Sequence, residues 1–295
     1  MKQIIGIKGI VLWLLALPLL AACSSPADDF PAPSPALWEV KAKDGTVEAW
    51  LFGTIHVLPD GVNWRTETLE QALEKTEWLM VEVSDLNETG NLQLLFLELG
   101  MSEGLPPLRQ RVSEEYRRDL RDLMAQGNYR DGDLARLETW AAALTLAQIV
   151  IEGDPENGVD RALIAQFPAR IELEGARTQL EIFDSLPEKE QRDLLEALLK
   201  DNRIHAPAEE RRLAKMWVSG DLEEYLDGRN DSVLSDKELR AALLTNRNTA
   251  WIEKIIAEMP QRGPLMIAVG AAHMIGDDGL PTLLTAKGYT VTRIQ

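Results

Sequence analysis

Cysteine is nearly absent from this chain of 295 residues. The single one, Cys23, has no partner for an internal disulfide, so paired-cysteine metal sites and dithiol redox chemistry are excluded. Histidine is almost as scarce, and any imidazole chemistry must come from His56, His205 and His273. No Lys/Arg cluster with interleaved aromatics occurs, and 48 acidic residues face 31 basic ones, which argues against nucleic acid as a partner. Also missing are a Gly-x-Ser-x-Gly elbow, a Walker loop, a His-Glu-x-x-His helix and a glycine-rich dinucleotide fingerprint. The chemistries that use those motifs are set aside with them.

A long apolar run is lacking too. The stretch from Ile10 to Leu20 follows Lys2 and Lys8 and leads into Leu20-Ala21-Ala22-Cys23. It is shorter than the ~20 residues a spanning helix needs and contains Pro18. The pattern predicts a lipoprotein signal peptide over residues 1–22 with Cys23 as the lipidation site; an uncleaved anchor is the competing reading. Ser24, where aspartate would retain the protein at the inner membrane, predicts an outer membrane lipoprotein facing the periplasm. Residues 23–36 are then the lipidated cysteine and a flexible tether, because their proline and small residues cannot bury a core. Without the leader the chain holds 29 Lys and Arg against 48 Asp and Glu, a net charge of −19, which reads chiefly as a solubility device.

What remains, residues 37–295, is expected as one α/β domain. Two alternating runs around Asp44-Gly45 predict a hairpin, and Trp78 to Val83 a short buried strand. Helical periodicity dominates an insertion over about residues 87–260, with a brief strand-like alternation at Arg170 to Glu174. The chain then returns to strand pattern at Leu265 to Val269 and Tyr289 to Ile294, on either side of a helix from Gly279 to Ala286. The expectation is a central mixed sheet built from both chain ends and roofed by the middle.

Two of the three histidines sit in a repeated phrase. Gly53-Thr54-Ile55-His56 ends one strand-like run, and Gly270-Ala271-Ala272-His273 ends another. Composition alone predicts only ~0.2 such Gly-x-x-His spacings, so a pair in matched contexts is informative. Glycine lets the backbone turn at a strand end, and the imidazole three residues on can face the crevice above the sheet. His56 and His273 are therefore candidate ligands of one divalent ion, against the alternative that each bonds a loop carbonyl. Glu82, between Val81 and Val83, is the third candidate, since a buried carboxylate needs a compensating cation; the alternative is an edge position in solvent. Two imidazoles and a carboxylate form a ligand set with open positions for water and substrate, and it suits zinc among other ions.

Arg247, on the helix leading into the second phrase, can hold Glu82 or stabilise an oxyanion if it faces the crevice, and is solvated if it does not. Asp60, Asp277 and Asn248 are candidates for orienting the imidazoles from behind. For the two aspartates, capping the next turn is the competing role. His205 lacks a strand end and reads as structural or exposed. The eight tryptophans are dispersed and read as core or rim.

These phrases, with the strand glutamate and the helix arginine, resemble the TraB/GumN family, part of a wider group with PrgY and the Tiki proteases. Supporting stretches are Gly158-Val159-Asp160, Phe183-Asp184-Ser185-Leu186-Pro187, Trp217-Val218-Ser219-Gly220-Asp221, Arg247-Asn248 and Gly279-Leu280-Pro281. The resemblance implies a metal-dependent hydrolase, Tiki-like members being metalloproteases that prefer manganese or cobalt. Carried over by motif, His56, Glu82 and His273 are the metal site and Arg247 acts on substrate or transition state. Glu82 is either ligand or general base. Departures are Ala272 in place of a frequent glycine, Thr139 in place of the usual proline before Trp140, and Leu173-Glu174-Gly175 in place of Leu-Glu-Thr. The expected function is a periplasm-facing lipoprotein hydrolase acting on a peptide or protein substrate, tethered to the outer membrane. Tiki-like relatives also imply self-association as a homodimer. The rival readings are a non-catalytic accessory lipoprotein that binds peptide or polymer, and a metal- or haem-handling lipoprotein.

Overall fold

The apolar runs at the two ends of the chain do form one sheet. A computed structural model describes residues 29–84, 89–150, 153–204, 211–222 and 233–295. The expected signal peptide, Cys23 and His205 lie outside these residues. The strands are β1 (Leu37–Lys41), β2 (Val47–Thr54), β3 (Trp78–Val81), β4 (Arg170–Glu172), β5 (Leu265–Gly270) and β6 (Thr290–Arg293), in the order β4-β3-β5-β2-β1-β6. The middle contacts β4–β3, β3–β5 and β5–β2 are parallel, and β1 is antiparallel to both β2 and β6. Parallel strands covered on both faces need continuous apolar sequence. Leu265 to Val269 supplies it, with every side chain buried.

The helices are α1 (Glu67–Glu74), α2 (Thr89–Gly100), α3 (Arg117–Gln126), α4 (Thr139–Val150), α5 (Val159–Gln166), α6 (Ala176–Asp184), α7 (Glu188–Ile204) and α8 (Arg212–Ser219). There follow α9 (Lys237–Arg240), a π-helical turn at Ala241–Thr245, α10 (Asn246–Arg262) and α11 (Leu280–Ala286). Helix α6 lies within the helical insertion; none of its residues is fully buried, and Leu180 and Phe183 pack against the second core. Leu134 to Glu138, within the insertion expected to be helical, form turns and an isolated bridge from Leu137 to Met101 ahead of α4.

Two apolar cores result. One joins the sheet to α1, α5, α8, α10 and α11. The other lies among α3, α4 and α7, centred on fully buried Trp140 stacked on Phe183 at 6.1 Å. The helical middle is not a separate roof, because β4 rises from it to pair with β3. Residues just ahead of β1, expected in the tether, are held to the body: Ser34 N donates to Val218 O at 2.7 Å, and Lys215 pairs with Asp29 at 2.5 Å. Among the described residues no helix is long and apolar enough to cross a membrane.

Neither phrase glycine adopts a positive φ. What they supply is close approach. A Cβ on Gly53 would lie 3.0 Å from Ala271 Cα, so the two phrases pack backbone to backbone. A Cβ on Gly270 would lie 3.3 Å from Glu82 Oε1.

Candidate active site

The carboxyl edge of the sheet collects a titratable side chain after each of four parallel strands: His56 after β2, Glu82 after β3, Glu174 after β4 and His273 after β5. In open α/β sheets this edge is where ligands bind.

Glu82 is the hub. Oε1 accepts the Gly270 N–H at 2.8 Å, and Oε2 accepts from Gln179 Nε2 at 3.0 Å and from Arg247 Nη2 at 2.5 Å. Burial works to raise its pKa. The neighbouring His273, Arg247 and His56 and the Gly270 N–H outweigh burial, so the carboxyl stays well below its ordinary value. Arg247 also grips Glu174, through Nη2 to Oε1 at 2.5 Å and Nε to Oε2 at 3.1 Å, while its guanidinium carbon lies 4.6 Å from the Trp251 ring centre. Burial opposes the guanidinium charge, yet the two carboxylates hold the pKa of Arg247 above its ordinary value. Glu174, also buried, is pushed up by desolvation more than Arg247 pulls it down. The π-helical turn ends two residues before Arg247, whose Nη1 donates to Leu243 O at 3.0 Å within it. Such widened turns recur at functional sites.

His273 is buried against Trp251, with ring centres 4.5 Å apart. Its Nδ1 lies 2.6 Å from Asn248 Oδ1. The amide orientation is settled by Asn248 Nδ2, which donates to Asp278 O at 2.7 Å and His273 O at 3.3 Å. An amide oxygen only accepts, so Nδ1 carries the proton and Nε2 the lone pair. That Nε2 lies 3.1 Å from Arg247 Nη1 and 3.9 Å from Glu82 Oε1. Burial drives the pKa of His273 down to about 4, which keeps the ring neutral at pH 7.

His56 is set differently. Its side chain is 67% exposed, and Nδ1 lies 3.2 Å from Asp160 Oδ1. Asp160 raises the His56 pKa to about 9 against the effect of desolvation. Solvent screens part of that pull.

Between His56 and Glu82 lies a cavity of about 30 Å³, with Thr54, Asp160 and Gln179 as its other polar walls. It has room for one water or small ion. Thr54 Oγ1 and Asp160 Oδ1 are buried there with no hydrogen-bond partner, the His56–Asp160 contact having ion-pair distance but not hydrogen-bond geometry. Each such orphan costs about 1–3 kcal/mol unless a guest satisfies it.

The donor set fits a divalent ion in kind: two imidazoles, each with Nδ1 turned to a side-chain oxygen, an ionised carboxylate, and unsatisfied oxygens beside them. Among the described residues, however, no three His, Cys, Asp or Glu side chains already close around one point. The guanidinium of Arg247 now stands against both Glu82 and His273 Nε2.

The structure thus joins Glu82, His273, Arg247 and Asn248 in one contact network and sets His56 on the small cavity that Glu82 also lines. The two aspartates are placed elsewhere. Asp60 Oδ1 accepts from Asn157 at 2.8 Å, and the carboxylate facing His56 is Asp160. Asp277 is exposed in a turn. Its neighbour Asp278 does the tying, bonded to Arg240 Nη2 at 2.5 Å and Thr245 Oγ1 at 2.6 Å. Residue-by-residue reading did not single out Thr54, Asp160, Glu174 or Gln179. The available signals were the Gly158-Val159-Asp160 phrase and the acid just after the Arg170–Glu172 alternation.

The sheet and its carboxyl-edge cluster define an open α/β protein whose site is built from strand ends. The chain belongs to the TraB/PrgY/gumN family, whose model matches residues 36–293. The uncharacterized protein YbaP of Shigella flexneri is 27% identical over 253 residues, covering 81% of this chain and 89% of the relative. YbaP of Escherichia coli strain K12 is 27% identical over 247 residues, covering 79% and 86%. No solved structure matches the chain.

Proposed function

We propose that this protein is a divalent-metal-dependent hydrolase of peptides, tethered by a lipid on Cys23 to the periplasmic face of the outer membrane. The observation that carries the hydrolase reading is the meeting of Glu82 Oε1 and His273 Nε2 at 3.9 Å beside a water-sized cavity that Glu82 shares with His56. The location rests on the leader sequence alone.

His56, Glu82 and His273 would hold the ion; manganese or cobalt is suggested by the family and zinc by the residues. Once bound, such an ion polarises a carbonyl and lowers the pKa of its water. The remaining work falls to the chain. Asn248 holds His273 in the tautomer whose Nε2 can donate its lone pair, and Asp160 faces the Nδ1 side of His56 at 3.2 Å. A carboxyl kept far below its ordinary pKa is a poor general base, so Glu82 serves better as ligand than as proton acceptor. Arg247, fixed by Glu174 and Trp251, presents a charged donor that can stabilise developing negative charge on substrate oxygen.

The test is metal content and peptide turnover of native protein beside His56→Ala and His273→Ala. Both quantities should fall in both variants. Three proteins alike in metal and in turnover would remove the proposal.

A further inference from the structure

The sheet edge that carries the site is also the edge at which the chain arrives from the tether. Strand β1 is antiparallel to β2, with Leu37 opposite Phe52, so the residues ahead of Leu37 emerge beside the carboxyl end of β2, where His56 follows. Neighbouring strands lie about 4.8 Å apart. In the order β3-β5-β2-β1, the start of β1 is one strand from the His56 segment, two from that of His273 and three, or about 14 Å, from that of Glu82.

The arriving segment is fastened at this edge. Ser34 N donates to Val218 O at 2.7 Å, and Gln295 Nε2 donates to Pro35 O at 2.7 Å. Gly220, just past α8, permits the close approach, since a Cβ there would lie 2.3 Å from Ser34 O. Further out, Phe30 packs on the core of the sheet and Asp29 pairs with Lys215 at 2.5 Å. Helix α8 is itself seated on the edge. Its buried Trp217 donates from Nε1 to Gly53 O at 2.7 Å, at the first residue of the phrase that ends in His56.

Six peptide steps separate Asp29 from Cys23. They span at most about 22 Å, whereas a globular body of about 260 residues is about 45 Å across. A lipid on Cys23 therefore stays on the site's side of the molecule. Resting on the lipid-anchor and hydrolase readings above, we infer that the carboxyl edge of the sheet faces the bilayer and that the substrate is a peptide segment presented close to that surface by a membrane-anchored protein. A bond held far out from the bilayer meets the opposite side of the body, away from Glu82 and His273. Selection is by height above the membrane.

The test uses the full lipidated protein in vesicles that contain a lipid with a nitroxide headgroup. A fluorophore is attached at Asp277→Cys, in the exposed turn beyond β5, or at Glu77→Cys, exposed just ahead of β3 on the opposite edge; Cys23, its sulfur taken by the lipid, accepts no label. Quenching should be about threefold or more stronger at position 277 than at 77, and a ~20-residue Gly/Ser insertion ahead of Asp29, long enough to free the body, should erase the difference. In parallel, one peptide is tethered to vesicle lipid through a proline spacer of about 3 or about 20 residues, the longer holding the bond about 60 Å out. Native protein should cut the short-spaced form faster, and the insertion should level the two rates. Equal quenching at the two positions, or stronger quenching at 77, in protein that is bound to vesicles overturns the inference and leaves the anchor reading standing; so does equal cutting of both spacers by native protein. Protein that does not stay on the vesicles overturns the anchor reading and the inference together. Stronger quenching at 277 with neither peptide cut leaves the orientation standing and removes the hydrolase reading.

Discussion

The carboxylate of Glu82 receives the backbone N–H of Gly270 at 2.8 Å because position 270 has no Cβ; one built there would stand 3.3 Å from Oε1. The first glycine of the second His phrase is thus a cradle for the acid of another strand. The φ of −47° is open to alanine, so Gly270→Ala should leave the fold intact while tilting the carboxylate by a few tenths of an ångström. Stability should change by less than about 1 kcal/mol. A small misplacement at a reacting centre is costly, so turnover should fall about tenfold or more. Denaturant midpoints beside peptide turnover check this, and an unaltered turnover counts against Glu82 as the hub.

Gly53→Ala should do the reverse. Its Cβ would meet the Cα of Ala271 at 3.0 Å, a backbone atom that cannot turn aside. The two phrases must separate, at a cost of about 1–3 kcal/mol in stability. A thermal midpoint matching that of native protein would show that the phrases are not in contact.

The two imidazoles should titrate in opposite directions from their common starting value of 6.5 in protein freed of metal by chelation. His56, raised by Asp160 to about 9, stabilises the fold fully below pH 6.5, and that contribution fades as pH rises through about 9. His273, lowered by burial to about 4, favours the fold above pH 6.5 and withdraws that support as pH falls towards 4. NMR titration of the imidazole protons, assigned with His→Ala variants, reads both. If His273 takes up its proton at a higher pH than His56, the electrostatic picture of the site is wrong.

Asn248→Ala removes the oxygen that holds the proton on His273 Nδ1 and the two bonds its Nδ2 makes to backbone carbonyls. Partners of this kind are worth about 10–100-fold in metal affinity. Competition against a chelating dye should show a loss of that size.

How much of this was legible beforehand follows from which interactions are local. The strand ends of the Gly-x-x-His phrases were readable because a run of apolar residues followed by glycine is a pattern within one segment. Glu82 was readable as a charge between two valines. Glu174 was not, since β4 spans only Arg170–Glu172 and owes its place to pairing with β3. Gln179 was not readable either, because it meets Glu82 only across the fold, 97 positions along the chain. Asp60 and Asp277 are close to the histidines in sequence, whereas Asp160 and Asn248 are close in space. Choosing between Asp277 and Asp278 required the geometry of one turn, where Asp278 faces Arg240 and its neighbour faces solvent.

Arg247 offers the sharpest separation of binding from catalysis. Its guanidinium bridges Glu82 and Glu174 and abuts His273 Nε2, so it is a cation set against two of the three proposed ligands. Removing it as Arg247→Ala should leave metal affinity equal or higher, because a like charge leaves the ligands. Turnover should nevertheless fall about 10²–10³-fold if the guanidinium stabilises charge on the substrate oxygen. The fold should lose about 3–5 kcal/mol, since two buried carboxylates lose their partner. Arg247→Lys keeps the charge but not the fork that spans both carboxylates, so it should recover more stability than turnover. Metal titration, turnover and denaturation on the three proteins distinguish these effects. A parallel loss of metal and turnover in Arg247→Ala would instead make Arg247 a support for the ligands, with no part of its own in the chemistry.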